Sequence, residues 1–157
     1  MTKQHHNHPA FPQPGDSRII LWRYMEVDKF KWLLHCNRLF MPSADQLGDP
    51  LEGTTPEGDL MRWLRLAANA KSEEQRRIVE HNRAFLSHMA ERFRSNYYVS
   101  CWHVNSHENH AMWGCYTKRP ESVAIKTTYD ALRNCLPSYV EMGMIRYIDY
   151  ATECLRQ

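Results

Sequence analysis

The sequence predicts an α+β fold, a mixed and mostly antiparallel sheet with several helices in a single domain. Three observations predict it. Strand-like and helix-like segments are interspersed, but their connections are uneven in length and content, unlike the regular alternation of a doubly wound sheet. None of the glycine-rich or nucleophile-elbow patterns GxGxxG, GxxxxGK[ST] or GxSxG occurs in the chain. At 157 residues, with 43% hydrophobic and 24% charged residues, the chain can bury roughly two thirds of its unfolded surface without disulfide or metal staples.

Residues 1–17, rich in His, Pro and Gln, read as a disordered or loosely docked arm, with 18–157 as the domain. His5, His6 and His8 in the arm can hold a stray metal ion. Residues 18–25 (RIILWRYM) are β-branched and aromatic, as a strand requires. Alternation places Ile20, Trp22 and Tyr24 on one face and Ile19, Leu21 and Arg23 on the other. Arg23 therefore lies at a strand end toward solvent or faces a polar pocket. Asp28 is a good N-cap for a helix over 29–36, with Phe30, Leu33 and Leu34 inward. Residues 38–41 (RLFM) read as a short strand ended by Pro42.

The stretch 43–53 (SADQLGDPLEG) is a loop punctuated by Gly48, Pro50 and Gly53. Asp49 before Pro50 is placed to start a turn and cap backbone N–H groups; Glu52 has no such structural role to claim it. Thr54, Thr55 and Pro56 open a helix, Pro56 at its first position and Thr54 with Glu57 as a capping box. Leu60, Met61, Leu64 and Ala68 form its stripe, and it ends near Asn69. A second helix follows Ser72, capped with Gln75, and runs to about Arg94. Ile78, Phe85, Met89 and Phe93 are expected to face inward. Arg76, Arg77, Arg83, Arg92 and Arg94 lie outside that stripe, so the helical face over 76–94 is either a solvated surface or an electrostatic footprint for nucleic acid or phosphate.

Residues 97–103 read as a strand, then Asn105 or Ser106 caps a helix over 108–116. Residues 122–128 (SVAIKTT) are a strand, 129–135 a short helix stopped before Pro137, and 140–150 a further strand with Gly143 as a bulge. The window 97–116 (YYVSCWHVNSHENHAMWGCY) concentrates the chemistry: two of the five Trp and two of the five Cys, with His103, His107 and His110.

Composition limits the possibilities. A net charge of +2 is too small to argue for nucleic acid by itself. The five Cys are odd in number, form no CxxC and follow no apolar signal core, which points to reduced thiols and a cytoplasmic setting. No apolar run reaches the roughly 18 residues of a membrane span. His103, His107 and His110 with Cys101 and Cys115 could ligate zinc, but no spacing matches a zinc pattern such as HExxH. Cys101 or Cys115 with His103 could form an activated thiol pair. A third constellation, Arg23, Tyr24, Ser100, Trp102, Glu108, Trp113 and Tyr116, has rings to stack on a planar ligand. It also has a guanidinium for an anion and a carboxylate to orient a hydroxyl or take a proton.

The segments LWRYMEVDKF, RLFMPSADQLGDPLEG, YVSCWHVNSHENHAMWGCY, SVAIKTTYDALR and IRYIDY together resemble the bacterial domain of unknown function 2971, over about residues 18–150. The resemblance assigns no activity. It implies that Arg23, Tyr24, Asp49, Pro50, Glu52, Ser100, Trp102, Glu108, Met112, Trp113 and Tyr116 are family positions, and that His107, His110 and Cys115 are not. Longer relatives of this kind carry a further C-terminal segment. The layout of LWRY, KFKWLL and RLF is also similar to the opening of ADP-ribosyltransferase-like domains. That likeness implies a nucleotide ligand, NAD, held by Arg23 with Tyr24, Trp102, Trp113 and Tyr116 around it, Ser100 supporting the nicotinamide pocket, and Glu108 or Glu141 as the acid. The reaction it implies is glycosyl transfer in stress or phage-defence biology. Against it stand two alternatives: a nucleic-acid-binding or protein-interaction module built on the helix over 76–94, and a zinc-stabilised structural domain.

Overall fold

A computed structural model describes residues 10–154. The fold is α+β: five helices and a three-stranded antiparallel sheet. The described residues divide into two compact units. One is drawn from Met1–Phe40 and Cys101–Arg146, the other from Met41–Ser100 and Tyr147–Gln157.

The first unit is organised on strand β1 (Ile20–Glu26), which lies between β2 (His103–Val104) and β3 (Ser122–Thr128). β1 and β3 pair along seven positions, from Ile20 with Thr128 to Glu26 with Ser122. β2 contributes two pairs, Leu21 with Val104 and Trp22 with His103. β1 holds the centre because its run of Ile, Leu, Trp, Tyr and Met suits a strand covered on both faces. Leu21, Tyr24 and Met25 are buried. Helix α1 (Val27–Cys36) follows without a side-chain cap, beginning two residues before the expected start, and Asp28 sits in its first turn. Asn37 ends it at φ 50°, a left-handed position that Asn tolerates. Leu34, expected inward, is exposed.

Helix α4 is His110–Tyr116, two residues shorter at its start than expected, because Asn109 rather than Asn105 or Ser106 caps it: its side chain accepts from the Ala111 N–H at 2.9 Å. Helix α5 (Tyr129–Cys135) begins where β3 ends, and the Thr128 side chain caps it through Ala131 N–H.

Residues 140–150, expected as a strand, form none. Gly143 is a close approach rather than a bulge: a Cβ there would lie 2.7 Å from Phe11 Cα. Of the expected arm, residues 1–9, with His5, His6 and His8, lie outside the described residues. The described part docks on the first unit. Met144 N–H donates to the Pro12 carbonyl at 2.8 Å, and Gln13 Nε2 donates to the Met142 carbonyl at 2.7 Å. Gln13 Oε1 accepts from Tyr129 Oη and from Arg133 Nη1.

The second unit is a helical hairpin, α2 (Glu57–Ala68) against α3 (Glu73–Phe93). The Thr54–Glu57 capping box does not form. Thr54 Oγ1 donates instead to Leu51 carbonyl, Pro56 takes the N-cap position, and the Glu57 N–H is satisfied by the Tyr150 carbonyl at 3.0 Å. The C-terminal segment thus caps α2, and Tyr150 Oη holds it further to Thr54 Oγ1 and the Leu51 carbonyl. At α3 the expected cap is present: Ser72 Oγ accepts from Gln75 N–H, and Gln75 Oε1 returns to Lys71 N–H. The expected strand over 38–41 does not form, and of that over 97–103 only His103 enters a strand, β2. Ser43 and Tyr98 make one isolated antiparallel bridge, flanked by Ala44 N–H to Tyr97 carbonyl and Val99 N–H to Pro42 carbonyl.

Candidate functional site

The sheet alternation divides the expected pocket. Tyr24 points to the face that carries Trp22, whose ring stacks on it with centroids 6.4 Å apart. Trp113 of α4 meets Tyr24 edge-on at 4.9 Å. Tyr24 Oη accepts from Asn109 N–H at 2.9 Å, which ties the start of α4 to β1. Glu108 belongs to this face: its Oε1 accepts from Trp113 Nε1 at 2.6 Å. Lys126 lies over the outer side of Trp22 at 5.3 Å, and Trp22 Nε1 donates to the Asn105 carbonyl.

Arg23, one residue from Tyr24, points to the opposite face. Its guanidinium lies 5.7 Å from the centre of the Trp102 ring and donates to the Phe40 carbonyl at 3.0 Å. Trp32 of α1 packs edge-on against Phe40. Burial moves the Arg23 pKa below its ordinary value, a shift opposed by the neighbouring Cys101 thiol. Both alternatives for Arg23 are thus partly realised. It is half-buried, and its partners include a carbonyl and a ring.

The residues named by the sequence therefore fall into separate groups. Tyr24, Trp113 and Glu108 meet on one face of the sheet; Arg23 and Trp102 meet on the other. Tyr116, at the end of α4, is exposed. Ser100 belongs to the second unit and is half-buried. Asp49 caps a turn: its Oδ1 accepts from Leu51 N–H at 2.8 Å, and Arg94 Nη2 donates to its carbonyl. Glu52 is exposed in the same loop.

Among the described residues no three His, Cys, Asp or Glu gather as a metal would require. His103 is paired across from Trp22 and its Nε2 is buried with no hydrogen-bond partner. His107 bonds Ser106, and His110 opens α4. Cys101 and Cys115 form no disulfide and are exposed rather than in a core. Sequence reasoning missed Asn109 and Gln13, although an Asn two residues before a helical Ala is a readable cap signal.

The largest departure is on α3. Ile78, Phe85 and Phe93, expected inward, are exposed, with Ile78 and Phe85 at 54% each. Met61, Leu64 and Leu66 on α2 and Leu86 on α3 are exposed as well. A small groove between the helices is lined by Trp63, Leu64, Ala67, Val79, Glu80 and Arg83. The hairpin buries its stripe only in part, because α3 has α2 as its main partner and an apolar stripe wider than one helix contact needs a second cover. The arginines of α3 are partly engaged within the helix: Arg76 pairs with Glu80 at 3.4 Å and Arg77 with Glu73 at 3.8 Å. No helix of the described residues is long and apolar enough to cross a membrane.

Compared with family models, with curated proteins and with solved structures, the chain finds no match.

Proposed function

We propose that this chain is a protein-interaction module whose working surface is the α2–α3 hairpin. The observation that carries the reading is the set of exposed large apolar side chains on α3, Ile78 and Phe85 above all, turned away from the groove that Val79, Glu80 and Arg83 line with α2. Scattered exposed apolar residues mean little, but a contiguous row of them along one helix pair marks an interaction site. The nucleic-acid alternative is weaker, since Arg76 and Arg77 are paired to carboxylates of their own helix and the net charge is only +2. A nucleotide reading, with NAD as ligand, requires Arg23 and Glu108 on one cleft wall. They serve opposite faces of β1, and Glu108 is engaged by the Trp113 indole.

The double substitution Ile78→Glu with Phe85→Glu tests the reading. In dilute protein, where intermolecular contacts are absent, the expected result is an unchanged thermal midpoint with reduced binding of a hydrophobic dye. Core positions behave otherwise: buried carboxylates there cost several kcal/mol. A collapse of the thermal midpoint places these side chains in a core and removes the interaction surface.

A further inference from the structure

Resting on that reading, we infer that the partner covering α3 is a second copy of this chain, docked antiparallel about a two-fold axis between Asn82 and Phe85. At 100° per residue, Ile78, Asn82, Phe85 and Met89 fall within about 60° of the helix circumference. Their spacings of four, three and four residues are those of a coiled-coil seam. Asn82 is the polar residue within that row, and one polar residue in an otherwise apolar seam is a known device for setting register. Antiparallel pairing of this seam with itself sets Ile78 of one copy against Met89 of the other and Asn82 against Phe85, each contact occurring twice, as a two-fold interface requires.

Charge selects that direction. The N-terminal turn of α3 carries Glu73 and Glu74, and its last turn carries Arg92. Glu74 and Arg92 project at the same angle around the helix, on the edge of the seam away from Val79 and Arg83, which face α2. An antiparallel copy brings Glu74 of each chain beside Arg92 of the other. A parallel copy sets Glu74 against Glu74 and Arg92 against Arg92, and like charges in opposition suppress that arrangement. The same opposition argues for a second copy over an unrelated apolar partner, because the complement to the acidic end is already present at the basic end of the same helix.

The test is sedimentation equilibrium of the full chain across a wide concentration range. The expected species is a dimer of twice the 18.7 kDa chain mass, dissociating on dilution. Phe85→Glu is expected to leave monomer alone. Glu74→Arg and Arg92→Glu are each expected to weaken the dimer several-fold, and the two together to restore it, since only an antiparallel pairing joins those positions. Recovery in the double variant supports the proposal. A chain that stays monomeric at every concentration, while Ile78→Glu with Phe85→Glu remains fully folded, overturns the second copy and leaves the interaction surface standing for a different protein. A dimer that survives Phe85→Glu, or that fails to recover in the charge swap, overturns the antiparallel seam.

Discussion

Tyr129 shows how one side chain joins segments distant in sequence. It is 3% exposed, and its hydroxyl donates to Gln13 Oε1 at 2.7 Å and to the Met142 carbonyl at 3.0 Å. Both bonds require the neutral phenol. Burial, first among the causes, raises its pKa above the ordinary value, against the opposing Arg133 charge. The sign of the pH effect follows. A raised folded pKa means that the unfolded chain releases this proton first, so the folded state binds more protons above the unfolded pKa. The contribution is present in full below about pH 10 and declines as pH rises through the folded value. Tyr129→Phe keeps the ring and removes the proton. Its chemical-denaturation profile is expected to fall less steeply above pH 10 than that of the parent, from a plateau about 1–2 kcal/mol lower for the lost hydrogen bonds. Parallel alkaline arms in parent and variant would show that Tyr129 does not titrate with unfolding.

At the scale of elements, glycines separate propensity from packing. In α2, a Cβ at Gly58 would lie 2.4 Å from the Glu153 carbonyl oxygen; in α4, a Cβ at Gly114 meets nothing within 4 Å. Helix propensity alone favours alanine at either site by about 1 kcal/mol. At Gly114 that gain is expected to appear as a small rise in stability. At Gly58 the overlap falls on backbone, which costs about 1–3 kcal/mol to relieve, and it displaces the segment whose Tyr150 carbonyl caps α2. Gly58→Ala is therefore expected to destabilise by about 1–2 kcal/mol in urea titration, and equal gains at the two sites would disprove the close approach. The same elements show what was readable. β3 and α5 were legible to the residue, because SVAIKTT alternates cleanly and Thr128 is a local cap. Residues 97–103 alternate as well, yet a strand needs a partner ladder as well as propensity. Tyr98 makes one isolated bridge to Ser43 and His103 pairs with Trp22, and no continuous ladder joins them. Residues 142–144 instead meet residues 11–13, with Gly143 against the Phe11 backbone. For the site, the sequence named Tyr24, Trp113 and Glu108 as groups around a ligand; that they meet one another, apart from Arg23, follows from the position of α4, which no local pattern encodes.

Across the whole chain, burial is uneven. Among the described residues, Leu21, Tyr24, Met25 and Tyr129 of the sheet unit are buried, against Ala44 and Pro56 in the other. The 21 residues of α3 include none that is buried. Helical propensity alone leaves a helix of that length marginal in water, and its stability must come from packing of its apolar face. Within one chain α2 is the main element packed on α3, whereas β1 is paired with β3 at seven positions and with β2 at two. The two units should accordingly differ in how their stability depends on concentration, since only a partner that covers the hairpin adds to it by mass action. Amide hydrogen exchange measures this element by element. At low protein concentration the amides of α3 are expected to exchange much faster than those of β1 and β3. As concentration rises, protection in α3 is expected to climb while that of β1 and β3 stays constant, and Phe85→Glu is expected to abolish the climb. Protection in α3 that already equals that of β1 in dilute protein would mean that α2 suffices, and that the exposed row of Ile78, Phe85 and Phe93 contributes nothing to holding the hairpin.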